Sequence, residues 1–209
     1  SNVMTTFTPS LRKAIEKAKT LEINIIAPGH GPVYRKNPQK IIDDYTRFSR
    51  YAEGAGKNEV AILWGSMYGM TAKAVDYVEG ILKREGVKYN KIEMPQESDS
   101  EMVATVFKSA GVIIAAPTYE YKLFPPVAAA LNELGRKRIT GKLAFRFGSY
   151  GWSGGAEKEL NEIMERNKMN WDFIESVEFE GAPKEEDLIK IEARVLELIK
   201  KMREKVLEP

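Results

Sequence analysis

From about residue 58 onward, short apolar runs alternate with stretches whose apolar positions recur at helical spacing. The runs at Glu59–Trp64, Tyr89–Met94, Gly111–Ala116, Lys142–Phe147 and Phe173–Phe179 predict strands. The intervening patterns at Thr71–Glu85, Ser100–Ser109, Pro125–Leu134, Ala156–Asn167 and Glu185–Leu207 predict helices. Pro125 and Pro126 suit a first helical turn, and Gly86 and Gly135 suit helix stops. Strand–helix units in succession imply an α/β domain, a doubly wound five-stranded parallel sheet with helices on both faces. Residues 112–116 are apolar without alternation, as a central strand would be, whereas residues 91–94 alternate as an edge strand does.

The first 57 residues read differently. Leu11, Ile15 and Ala18 mark an amphipathic stretch, and Ile23–Ala27 is the only strong apolar unit there. A helix is expected over Pro38–Tyr51, through Ile41, Ile42, Tyr45 and Phe48. The organisation expected is therefore a segment 1–57 followed by a domain 58–209. So short a leading segment cannot bury its faces alone and should dock, with Pro38–Tyr51 its most protected part. The polar N-terminus does not read as a targeting sequence; Ser1-Asn2 looks like an expression remnant. Met4 could start a short gene, or the chain could be a piece of a longer protein, and the sequence leaves both open.

Composition removes whole classes of chemistry. With no cysteine, disulfides, thiolate nucleophiles and cysteine-ligated metals are excluded, and a cytoplasmic location is the default. The net charge of +2 comes from 32 basic and 30 acidic residues that are interleaved, which describes solvated helix faces rather than a nucleic-acid stripe. Arg136-Lys137-Arg138 reads as a solvated loop. No apolar run reaches the roughly 18 residues of a membrane span, so neither membrane nor nucleic acid is an expected partner.

A doubly wound sheet binds its ligand at the carboxyl ends of its strands. The loop after the first strand is Ser66-Met67-Tyr68-Gly69-Met70-Thr71, opening an Ala-bearing helix. Backbone N–H groups and the positive end of that helix would face an anion there, helped by two hydroxyls. It matches neither the triphosphate nor the dinucleotide glycine motif and contains no Lys or Arg, which fits a single phosphomonoester. The plain alternative is an ordinary capped turn. After the third strand, Pro117-Thr118-Tyr119-Glu120-Tyr121 continues through Leu123 and Phe124, and after the fourth comes Gly148-Ser149-Tyr150-Gly151-Trp152-Ser153-Gly154-Gly155. Loops so rich in aromatics expose apolar surface unless they cover something. A phosphate cradle beside two aromatic, glycine-bearing loops suits a planar heteroaromatic phosphomonoester, namely FMN. Trp152 and Tyr119 are the stacking candidates.

These motifs resemble known ones. Ser66–Thr71 is similar to the phosphate loop of flavodoxin-like domains, and residues 148–156 are closer still to the flavodiiron proteins (A-type flavoproteins). Residues 25–35, Ile-Ile-Ala-Pro-Gly-His-Gly-Pro-Val-Tyr-Arg, resemble the final strand and last metal-binding histidine of that family's metallo-β-lactamase-like domain. Residues 38–49 resemble its connecting helix. The resemblance implies strand order 2-1-3-4-5, FMN as cofactor, and electron transfer. It also implies a rubredoxin-like or flavin-reductase donor, a diiron domain or chain as acceptor, and a homo-oligomer. The family's other iron ligands have no counterpart, and His30 is the sole histidine, so no metal site is expected. Nor does any catalytic acid, base or nucleophile stand out, and oxygen or nitric oxide reduction at iron is not expected of this chain alone. Two other readings stay open: an NAD(P)H-dependent FMN oxidoreductase of quinone-reductase type, and a flavin-free interaction module.

Overall fold

The structure is a computed structural model that describes residues 7–52 and 54–208. The readings placed on Ser1, Asn2 and Met4 lie outside the described residues. In chain order the elements are α1 (Thr8–Ala18), α2 (Pro38–Tyr51), β1 (Gly56–Trp64), α3 (Met70–Arg84), β2 (Lys88–Glu93), α4 (Asp99–Lys108) and β3 (Ser109–Ala115). There follow β4 (Thr118–Tyr119), β5 (Lys122–Leu123), α5 (Pro125–Arg136), β6 (Leu143–Tyr150), α6 (Ala156–Arg166), β7 (Asp172–Glu180), α7 (Glu185–Lys205) and β8 (Val206–Glu208). Among the described residues no helix is long and apolar enough to cross a membrane.

The main sheet runs β2-β1-β3-β6-β7, all parallel, which is the 2-1-3-4-5 order of a flavodoxin-like fold. Every residue of β3 is buried, because β3 is central and covered on both faces. Its apolar run nonetheless has two destinations. Val112 and Ile114 join Ala61, Leu63 and Ala144 in one core, while Ile113 and Ala115 join Val60, Ile62 and Phe145 in the other. The first core is closed by α4, α5 and α6, and the second by α3 and α7. Each fully buried Val, Ile or Leu contributes about 1.5–3 kcal/mol of transfer free energy. On the outer side of the second layer, Glu192 of α7 accepts from Tyr77 and from Arg84 at 2.5 Å each, so α3 and α7 are laced together. The two bonds hold the Glu192 carboxyl below its usual range.

Two local expectations need correction. The last helix stops at Lys205 rather than running to Leu207, and Val206–Glu208 instead pairs in parallel with Gly56 and Lys57. The start of β1 pairs with β3 at Lys57 but not with β2, and its open side offers ladder groups that a further helical turn would not satisfy. The final strand that the resemblance implies within residues 25–35 is reduced to a single bridge, between Ile26 and Tyr34. A strand requires a neighbour along its length, and none is present among the described residues.

α1 and α2 pack against each other, with Ile15 and Ile42 buried, and the end of α2 enters the first core. Tyr51 is almost wholly buried there, its ring edge-on to Phe107 at 5.9 Å between centroids. Tyr51→Ala should therefore cost about 3 kcal/mol in urea unfolding, in the range of large aromatic truncations. A loss below about 1 kcal/mol would mean that α2 adds little to the core.

At the edge of the sheet nearest this junction lies Lys142, fully buried. Its Nζ donates to Phe107 O at 2.8 Å, Ser109 O at 2.9 Å and Ala55 O at 3.4 Å. One ammonium thus joins the turn before β1, the end of α4 and the start of β3. Burial pushes its pKa down to about 7.

Candidate functional site

The loops that follow β1, β3, β6 and β7 meet at the carboxyl edge of the sheet and enclose a cleft of about 400 Å³. That is within the range of small-molecule sites, roughly 300–1,000 Å³. Its walls are Met67, Tyr68 and Met70 from the first loop, Pro117, Thr118, Tyr119, Glu120 and Tyr121 from the second, and Ser149, Tyr150, Gly151, Trp152 and Ser153 from the third. Gly181, just beyond β7, completes the lining. Four aromatics stand out into solvent around it. Trp152 is 88% exposed and Tyr68 84%, with Tyr121 and Tyr119 less so. Exposure of that size on a single rim marks a surface built to be covered.

Each loop is shaped by a local cause. In the first, Ser66 Oγ accepts the Gly69 N–H at 3.1 Å, and Gly69 takes a φ of 79° as the residue preceding α3. No side chain caps α3, so the N–H groups of its first turn keep their bonding capacity at the cleft edge. Thr71 is fully buried, and its hydroxyl lies 3.0 Å from Ser149 Oγ. It therefore joins the first loop to the third instead of standing open in the cleft.

The second loop is not the open loop expected from sequence but a two-residue hairpin, β4 paired with β5. Its tip is Glu120-Tyr121, with φ of 47° and 62°. Consecutive left-handed residues suit Asn-Gly, and side chains of this size are strained there, by about 1–3 kcal/mol each. The hairpin is held from below: Glu159 Oε2 on α6 accepts the Leu123 N–H at 2.7 Å. Thr118 Oγ1 is buried at the cleft wall with no partner among the described residues. A buried hydroxyl without a bond is costly, and a polar ligand atom would satisfy it.

The third loop needs its glycines for contact. A side chain at Gly155, where φ is 139°, would run into the Tyr121 carbonyl, so the second and third loops touch backbone to backbone. Gly154 lies against Glu178 and does not reach the cleft lining. Of the residues expected at the site, Thr71, Gly154 and Gly155 brace the cleft, Ser66 and Gly69 stand at its solvent-open edge beside the start of α3, and the others line it. Ser153 and Gly181 were missed. The signal for Gly181 lies in register: Tyr150 pairs with Glu180, and Gly181 N–H donates to Tyr150 O at 2.8 Å. The end of the fifth strand therefore had to stand beside the third loop.

His30 is exposed, far along the chain from these loops, in a shallow apolar groove between α1 and α2 that also contains Ile26, Tyr34 and Tyr45. Among the described residues no group of three or more His, Asp or Glu side chains is placed to hold a metal.

No family profile matches the chain. It is 28% identical over 190 residues to a nitric oxide reductase of Moorella thermoacetica, covering 90% of this chain and 47% of the relative. It is 31% identical over 165 residues to an anaerobic nitric oxide reductase flavorubredoxin of Vibrio vulnificus, covering 77% of this chain and 33% of the relative. The crystal structure of the flavodiiron protein from Giardia intestinalis superimposes with a TM-score of 0.81 at 27% identity, over 98% of this chain and 50% of that one. The chain thus spans about half the length of the first relative and of the solved structure, and a third of the second relative.

Proposed function

For a chain that resembles the flavodoxin-like part of flavodiiron proteins, we propose FMN binding in the four-loop cleft and one- or two-electron transfer through it. The observation that carries this reading is the convergence on one cleft of an uncapped helix start and an aromatic rim. The fit can be tested on the residues present. The cleft volume suits a tricyclic ring, and the orphaned Thr118 hydroxyl suits its polar edge. The α3 N–H groups with Ser66 suit a terminal phosphate. FMN, when bound, supplies the redox chemistry itself, while the protein supplies position and electrostatics. Met70 and its neighbours would hold the phosphate end, Trp152 and Tyr119 would stack on the ring, and Glu120 at the hairpin tip would disfavour negative charge there. The proposed unit for this work is residues 58–209, with residues 1–57 as the tail of a metallo-β-lactamase-like domain.

Electrons would come from a rubredoxin-like or flavin-reductase donor and pass to a diiron domain or chain. The names of the relatives support an oxidoreductase setting with nitric oxide as the final acceptor, and oxygen would be the other acceptor in this reading. A homo-oligomer in the cytoplasm remains part of the same proposal, supported by the exposed rim. The purified protein, loaded with FMN, should show a visible flavin spectrum at one FMN per chain that survives gel filtration. A colourless protein after loading would favour the interaction module. Rapid bleaching by NADH or NADPH without a protein donor would favour the quinone-reductase type.

A further inference from the structure

Beneath the cleft, outside its lining, lies a cation that the proposed function does not use. Arg146 is on β6, in a run of otherwise apolar residues, and is fully buried. Its Nη1 donates to Glu178 Oε1 of β7 at 2.6 Å, and its Nη2 to Ala116 O at 3.4 Å. Nε has no partner among the described residues. An arginine so buried and so incompletely bonded is a poor source of stability, since a well-packed apolar residue of similar volume would do as well or better. What the pair does touch is telling. Ala116 is the last residue before Pro117, where β3 hands over to the hairpin loop. Gly148, next to cleft-lining Ser149, has no room for a Cβ, which would overlap the Ala116 carbonyl and stand 3.3 Å from the guanidinium. At Gly154 a Cβ would stand 2.9 Å from Glu178 Oε2. Two of the third loop's four glycines thus lie against the ion pair, and the second loop is tied to it through a carbonyl.

We propose that Arg146 and Glu178 are positioning residues for the cofactor: a part-buried ion pair under the cleft that fixes both aromatic loops and sets the local charge felt by the flavin. The proposal rests on the FMN reading for its electrostatic half only; the loop-fixing half concerns the protein without ligand. In Arg146→Met the Ala116 carbonyl loses its donor and Glu178 is left as an unopposed anion. In Glu178→Gln the guanidinium is left as an unopposed cation. A cation favours the more negative, reduced flavin and an anion disfavours it, so the two variants perturb a bound flavin in opposite senses.

Hydrogen exchange on the ligand-free protein is the first measurement. Both variants should raise exchange at residues 117–124 and 148–155 by about tenfold, Arg146→Met by losing its hydrogen bonds and Glu178→Gln by weakening an ion-paired one, while α3 and β1 stay protected. Unchanged loops, or a uniform rise along the chain, would overturn the proposal. If Arg146→Met fails to fold, Glu178→Gln carries the same test. The second measurement is the midpoint potential of bound FMN, expected to fall in Arg146→Met, rise in Glu178→Gln and return towards wild type in Arg146→Lys. Shifts of the same sign, or none, would refute the electrostatic half. Failure of the wild type to bind FMN would instead refute the functional reading and leave the exchange result standing.

Discussion

Titrated in parallel, FMN should bind at least a hundredfold more tightly than riboflavin. The ligands differ only in the phosphate, and charge-assisted hydrogen bonds contribute roughly 1.5–3 kcal/mol each. Two such bonds from the α3 amides and the Ser66 hydroxyl already exceed that ratio. Ser66→Ala is the cleaner probe, because Ser66 Oγ accepts from Gly69 and its own hydrogen is free to donate to the ligand. It should weaken FMN by about tenfold and leave riboflavin nearly untouched. Thr71→Ala should weaken both ligands, since the buried Thr71 hydroxyl braces Ser149 on the opposite wall. Fluorescence titration reads all of these, and equal affinities for FMN and riboflavin would dismiss the phosphate-loop assignment.

The second large effect concerns pH and is independent of any ligand. Burial lowers the Lys142 pKa from 10.5 to about 7, whereas the unfolded chain regains 10.5. Between those values the unfolded state holds a proton that the folded state does not, so stability rises with pH through the window. The penalty is complete below about pH 7 and gone above 10.5, with a slope of up to about 1.4 kcal/mol per pH unit. Three carbonyl bonds to the ammonium oppose this by favouring the charged form. Urea unfolding of wild type and Lys142→Met at pH 7 and pH 10 checks it. Wild type should gain on the variant as the pH rises. Parallel behaviour of the two proteins would mean that the carbonyls keep Lys142 charged throughout.

Much of the architecture was legible because burial leaves a period in the chain. Residues 112–116 reported a central strand by lacking alternation, and 91–94 reported an edge by showing it. The aromatic loops reported a cleft because so much exposed apolar surface is otherwise disfavoured. What sequence could not convey was geometry set by other elements. Glu120-Tyr121 does not have the composition of a hairpin tip, and only the Leu123–Glu159 bond and the contact with Gly155 show why the chain turns there. A charged Arg146 within an apolar strand is explained only by Glu178, which β7 places beside it. Val206 continued a helical pattern and yielded to the open side of the β1 start.

The absence of Lys and Arg from the residues lining the cleft has a kinetic meaning. A dianionic ligand seated in it would be held by fixed backbone dipoles, whose field dies away over a few ångströms, rather than by a direct ion pair. Lys73 in the first turn of α3 and Lys122 in the hairpin lie outside the lining, and salt screens their pull on an approaching anion. Ionic strength would therefore act on capture more than on release.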